Sequence, residues 1–227
     1  MFAHRGASAH ARENTIEAFE LGLKLGATGL ESDVWLTRDR VPVLDHGGTI
    51  RRGLRRRPIA TMGRGELPAH IPSLVEVLDA VGTDFQLSLD MKDPEAAPIV
   101  VDQLERRAPE LVARTWLCSP DLERLTAWRE RSADVRLVNS TRLDRLPDGP
   151  ERRAARLAAL RIDAVNLHRT AWTGGLVVLF HRFEILAFGW DLQFDHQLVA
   201  GIRMGLDAVY SDDVEVMESV HAAEIGR

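Results

Sequence analysis

Cysteine is nearly absent from this chain. Cys118 stands alone among 227 residues, which excludes an intrachain disulfide framework and fits a reducing compartment. Long apolar runs are missing too. No stretch approaches the roughly 18 residues that a membrane span requires, and the N-terminus shows no signal-peptide pattern. A cytoplasmic protein without stable membrane insertion is therefore expected. Nor is there a basic excess: the formal net charge is −5, whereas nucleic-acid binding calls for a basic domain, so no nucleic-acid partner is expected. No internal repeat or linker divides the sequence. Residues 1–227 are read as one domain, a length that α/β barrels reach as a single unit. Oligomeric state leaves no trace in the sequence.

What the chain does have is a dense polar stretch from Gly29 to His46. β-forming residues flank a Thr37-Arg38-Asp39-Arg40 turn, which predicts two strands joined by a short, hence antiparallel, connection. With Leu36 facing Val41, Glu31 falls opposite His46 and Asp33 opposite Leu44. Glu31 and Asp33 then share one face. Two carboxylates stripped of water repel each other and call for a cation, and oxygen ligands of this kind suit Ca²⁺ or Mg²⁺.

Upstream, Met1 to Gly6 reads as a short strand delivering His4 and Arg5 at its tip. Gly6 permits a close backbone approach there, a plausible way to hold an anion. Asn14 is the expected N-cap of a helix with Ile16, Phe19 and Leu23 on one face, and Glu17 sits where a capping box places its acid.

Taken together, His4-Arg5-Gly6, Glu13-Asn14-Thr15, Glu31-x-Asp33-Val34, Thr37-x-Asp39 and His46 resemble the signature of the glycerophosphodiester phosphodiesterase family. The order and spacing of five linked elements carry the resemblance. It implies a (β/α)8 TIM barrel, a divalent cation and hydrolysis of a small-molecule glycerophosphodiester to glycerol 3-phosphate and an alcohol, a reaction of lipid and glycerol metabolism. Three positions depart from the family pattern. Arg12 stands where the family usually has Pro, Gly47 where it commonly has Asp after the second catalytic His, and Asp90 where the third metal acid is commonly Glu.

The remaining sequence agrees with that fold. From residue 84 onward strands alternate with helices, which argues a parallel sheet with helices outside. Without the returning arm at Val41 to His46 the strands number eight, and the arm is expected to fold over the barrel mouth. Residues 47–70, with Arg51, Arg52, Arg55, Arg56 and Arg57, show no period and read as an irregular insertion whose arginines form a solvated face.

Barrel active sites lie at the C-terminal strand ends. Those ends supply His4 and Arg5, Glu31 and Asp33, Asp90 and Lys92, Asn166 and His168, Trp190, and Ser211 with Asp212. For the reaction that the resemblance implies, Glu31, Asp33 and Asp90 are the metal ligands, and Arg5 and Lys92 bind phosphoryl oxygens. His4 and His46 act as general acid and base in either assignment. Trp190 either packs the substrate or belongs to the core. The nucleophile is water or the neighbouring glycerol hydroxyl. Two alternatives accompany this reading: phospholipase-D-like transfer leaving a cyclic phosphate, and a non-catalytic phosphodiester-binding barrel.

Overall fold

The computed structural model describes residues 1–52 and 55–226, the side chain of Arg52 excepted. Gly53, Leu54 and Arg227 lie outside the described residues, the first two within the arginine-rich insertion.

Eight parallel strands close on themselves. In order they are β1 (Phe2–His4), β2 (Gly29–Leu36), β6 (Gln86–Met91), β7 (Thr115–Ser119), β8 (Arg136–Ser140), β9 (Ala164–His168), β10 (Leu186–Trp190) and β11 (Ala208–Ser211). β1 pairs with both β2 and β11, and this closes the ring. Around it run α1 (Ile16–Lys24), α2 (Leu74–Val81), α3 (Ala96–Arg107), α4 (Pro109–Val112), α5 (Leu122–Arg131), α6 (Gly149–Ala159), α7 (Gly174–His181), α8 (Asp195–Met204) and α9 (Val214–Ile225). The fold is the expected (β/α)8 barrel.

The period-two alternation of the strands decides what each side meets. In β2, Leu30 and Val34 join the core shared with the helices, while Glu31 and Asp33 point into the barrel mouth. β9 repeats this, with Val165 and Leu167 outward and Asn166 inward. Deeper inside, Phe2 stacks on Tyr210 with ring centroids 4.9 Å apart, and Trp116 meets Phe188 edge-on at 5.0 Å. These rings fill the barrel interior beneath the polar mouth, so it is a packed core rather than a pore.

The arm after β2 forms as expected, in a different register. β3 (Pro42–Leu44) pairs antiparallel with Val34 opposite Leu44 and Leu36 opposite Pro42. Thr37 and Val41 close the turn: the Thr37 amide donates to the Val41 carbonyl at 3.1 Å, and Thr37 Oγ1 accepts from the Val41 amide at 2.9 Å. Only residues 38–40 loop out, with Arg40 at φ +60°, an arrangement common in three-residue hairpins. Glu31 is therefore not opposite His46, nor Asp33 opposite Leu44; Asp33 meets Asp45, whose amide donates to the Asp33 carbonyl at 3.1 Å.

The insertion is more ordered than the sequence suggests. β4 (Thr49–Arg52) and β5 (Arg55–Pro58) form an antiparallel pair, followed by two single 3₁₀ turns. Ile50, Ile59, Met62, Leu67 and Ile71 pack with Val43 into a small core under the arm. Arg55 and Arg56 are exposed. The strands escape a pattern reading because Ile50 is the one apolar residue on β4, and β5 consists of arginines and a proline.

Helix α1 is capped by Thr15, whose hydroxyl accepts from the Ala18 amide at 3.2 Å, rather than by Asn14. Asn14 takes a left-handed conformation at φ +56°, which Asn tolerates well. Its side chain is needed elsewhere: Oδ1 accepts the Ser32 hydroxyl at 2.6 Å, pinning the loop to the outer face of β2 between Glu31 and Asp33. Gly6 does serve a close approach, to helix α1. A Cβ there would lie 2.6 Å from the Ala18 carbonyl carbon, at φ +81°. Gly6→Ala is accordingly expected to cost about 1–3 kcal/mol of folding free energy, measured as a shift in the urea midpoint.

Candidate active site

His4, Arg5, Glu31, Asp33, Asp90, Lys92 and Trp190 line one cavity of about 500 Å³ at the C-terminal ends of the strands. Barrel pairing assembles it. His4 lies beside Glu31 across β1 and β2, and Asp33 beside Asp90 across β2 and β6.

His4 is gripped from the far end of the sequence. Its Nδ1 is 2.6 Å from Oδ1 of Asp212, just past β11, and that oxygen also accepts the Ser8 hydroxyl at 2.8 Å. The His4 bond holds the Asp212 carboxyl below its ordinary range despite partial burial. An ionised carboxylate can only accept, so Nδ1 carries the proton. Nε2 is left facing Glu31 at 3.8 Å. Burial alone would lower the His4 pKa; the Glu31 charge and the Asp212 bond outweigh it and raise the value.

Arg5 also adopts a left-handed backbone, at φ +56°. Its amide donates to Glu31 Oε2 at 3.1 Å, its guanidinium to Glu13 at 2.8 Å, and its Nε lies 3.3 Å from Asp33. Lys92 Nζ sits between two acids, 2.6 Å from Asp90 and 3.0 Å from Asp33. Burial opposes the charged Lys92, yet these carboxylates raise its pKa. Trp190 lines the cavity and meets His168 edge-on at 4.5 Å.

His46 stands apart. It is not among the residues lining the cavity; it sits half-exposed at the end of the arm, with Nδ1 3.6 Å from Glu13 Oε1. Glu13 thus spans Arg5 and His46, although the sequence reading gave it no role. Asp45 accepts from the Gly48 amide at 2.7 Å and braces the arm instead of the imidazole. Of the other strand-end residues, Asn166 lines the cavity. His168 is engaged by Thr170 and Asp191, and Ser211 hydrogen-bonds Gln193 and Asp213. Neither belongs to the cavity wall. Asp212 is the residue whose part was missed, since nothing local to it signals a His 208 positions away.

This geometry has known counterparts. The sequence model of the glycerophosphoryl diester phosphodiesterase family matches residues 4–216. The chain belongs to that family. A glycerophosphodiester phosphodiesterase of Thermotoga maritima superposes with a TM-score of 0.82 at 26% identity, covering 96% of each chain. An Oleispira antarctica phosphodiesterase, solved with the product sn-glycerol-3-phosphate, gives 0.85 at 20% identity over 96% of this chain and 95% of its own. Among curated sequences, a glycerophosphodiester phosphodiesterase of Caldanaerobacter subterraneus is 35% identical over 108 residues, 40% of this chain and 44% of that one. A Bacillus subtilis relative aligns over 52% of its length, so such matches span about half of the relatives or less.

Within this family member, the acids fit a hard cation in kind. Glu31, Asp33 and Asp90 are oxygen donors on adjoining strands, and Asp33 Oδ2 is buried without a hydrogen bond, facing Arg5 Nε at 3.3 Å. Among the described residues no three His, Cys, Asp or Glu groups converge on a coordination point, Lys92 holding the place between Asp33 and Asp90. The strain of gathering these acids shows in Glu31. Burial above all, with help from Asp33 and Asp90 and against His4, pushes its carboxyl from 4.5 up to about 7. A folded state that holds this proton more tightly than the unfolded chain loses stability as pH rises between those two values. Without divalent cations, Glu31→Gln is therefore expected to gain about 2 kcal/mol on the native chain between pH 5 and pH 8, read from denaturation at both pH values.

Proposed function

We propose that this chain is a cytoplasmic, single-domain hydrolase of lipid and glycerol metabolism that cleaves glycerophosphodiesters to glycerol 3-phosphate and an alcohol. A divalent cation, Ca²⁺ or Mg²⁺, is its cofactor. The observation that carries the reading is the His4 arrangement: an imidazole oriented by Asp212, with its free nitrogen turned to the acid-rich mouth of a cavity of about 500 Å³. The glycerol 3-phosphate held by the Oleispira antarctica barrel supports the substrate class.

Glu31, Asp33 and Asp90 would hold the cation, which when bound supplies charge neutralisation for a phosphoryl oxygen. Arg5 and Lys92 bind the remaining phosphoryl oxygens, Arg5 with a guanidinium suited to two-pronged contact. His4 Nε2 takes the proton of the attacking water. His46, at the open rim, gives a proton to the departing alcohol as the P–O bond breaks. Trp190 packs against the organic part of the substrate.

Phosphorus NMR of the reaction with glycerophosphocholine tests this. Glycerol 3-phosphate as first product is expected, and His46→Ala should slow its release by about a hundredfold. A cyclic phosphate that persists would replace hydrolysis by internal transfer.

A further inference from the structure

The cavity has a second basic wall that the proposed hydrolysis leaves unused. β8 is the fourth strand from β1 in either direction around the ring, so the loop after it faces His4 and Arg5 across the mouth. Arg142 and Arg145 from that loop, with Arg124 from the first turn of α5, line the cavity there.

The two sides differ in how much charge a ligand can use. On the acidic side, Arg5 and Lys92 are tied to Glu13, Asp33 and Asp90 at 2.6–3.3 Å. On the far wall the partners are looser. Arg124 lies 3.5 Å from Asp121, and Arg142 3.5 Å from Asp144, whose side chain is 73% exposed and therefore weakly held. Arg145 has no ion-pair partner among the described residues. Beside that wall, on the neighbouring β9, Asn166 lines the cavity, 7% exposed, and donates through Nδ2 to the Ser140 hydroxyl at 3.3 Å. Its Oδ1 is buried, lines no hydrogen bond and needs a donor.

A ligand spanning this cavity would meet a site for the reacting phosphate on one side and, on the other, a hydroxyl acceptor beside a cluster of guanidinium groups. We infer that the far wall is a subsite for a leaving alcohol that is itself a phosphorylated polyol. The inference rests on the hydrolase reading. In the reaction, the oxygen of water forms a new bond to phosphorus as the P–O bond to the polyol breaks, the polyol oxygen takes a proton, and the polyol leaves with its terminal phosphate monoester intact. Asn166 Oδ1 accepts a polyol hydroxyl, and Arg142 and Arg145 hold the terminal phosphate, assisted by Arg124.

The test uses one pair of substrates, glycerophosphoglycerol with and without a phosphate on its terminal hydroxyl. The native chain is expected to favour the phosphorylated diester by roughly tenfold or more in kcat/KM, mostly through KM, as charge-assisted bonds to a second phosphate imply. In Arg142→Gln/Arg145→Gln that ratio should fall to near one. A folding defect would lower both rates together and leave the ratio standing. Equal rates in the native chain, or a preference that survives the double variant, would overturn the subsite. Calorimetric affinities on His4→Asn, which leaves both diesters intact, give the same ratio without turnover. Preferential binding with no cleavage of either diester by the native chain would support the subsite and sink the hydrolase reading. Cleavage without preference would do the reverse.

Discussion

His4→Asn is expected to lower kcat by about 10³- to 10⁴-fold, the upper range for a positioned general base, while changing KM little. The side chain does not carry the barrel: it stands at the end of a three-residue strand with its ring at the cavity, and Phe2 and Ala3 beneath it make the packing. Asn retains an N–H that can reach Asp212 but has no basic nitrogen to turn toward the substrate. Asp212→Asn separates orientation from basicity. An amide at 2.6 Å from Nδ1 can donate to that nitrogen, which moves the ring proton to Nε2 and removes the base, as in other carboxylate-oriented histidines. A loss of about 10²-fold or more is expected. Asp212 is one of the groups that raise the His4 pKa, so the acid limb of the residual pH profile should shift to lower pH. A merely structural Asp212 would leave the limb in place and lower the melting midpoint instead.

How far the sequence discloses this molecule follows from what kind of contact each feature rests on. The barrel was legible because its strands and helices carry local periodicities, and Ala164–His168 or Gln86–Met91 show theirs in five or six residues. The acids and bases of the mouth were legible because they fall at strand ends. The register of the β2–β3 arm was not, since it depends on whether Thr37 belongs to the loop or closes it, a choice made by its hydroxyl bonds to Asp39 and Val41. That one-residue difference relocates every cross-strand partner. Glu31 consequently gains His4 from closure of the ring rather than His46 from the hairpin. Asp212 acquires its place by the same route, through the pairing of β1 with β11, and no spacing along the chain encodes a pairing that only the closed barrel creates.

Removal of divalent cations is expected to reduce turnover to background, about 10³-fold or more given the several kcal/mol of charge stabilisation such ions supply. Ca²⁺ or Mg²⁺ added back should restore it. The physical ground is the accumulation of Glu31, Asp33 and Asp90 where burial already holds the Glu31 carboxyl near 7 and raises that of Asp90. A cation must displace the Glu31 proton, so its affinity should climb as pH rises through about 7. Asp33→Asn then distinguishes a cation held by these acids from one acting elsewhere. Asp33 is 3% exposed and faces both Lys92 at 3.0 Å and Arg5 at 3.3 Å. The substitution deletes a ligand charge and leaves two neighbouring cations less neutralised, and both effects disfavour a further positive charge. Native chain is expected to gain melting temperature on addition of Ca²⁺ or Mg²⁺ at pH 8, and Asp33→Asn to lose that gain along with its activity. Turnover untouched by exhaustive chelation would take the cation out of the mechanism and leave Arg5 and Lys92 as the groups that neutralise the phosphate.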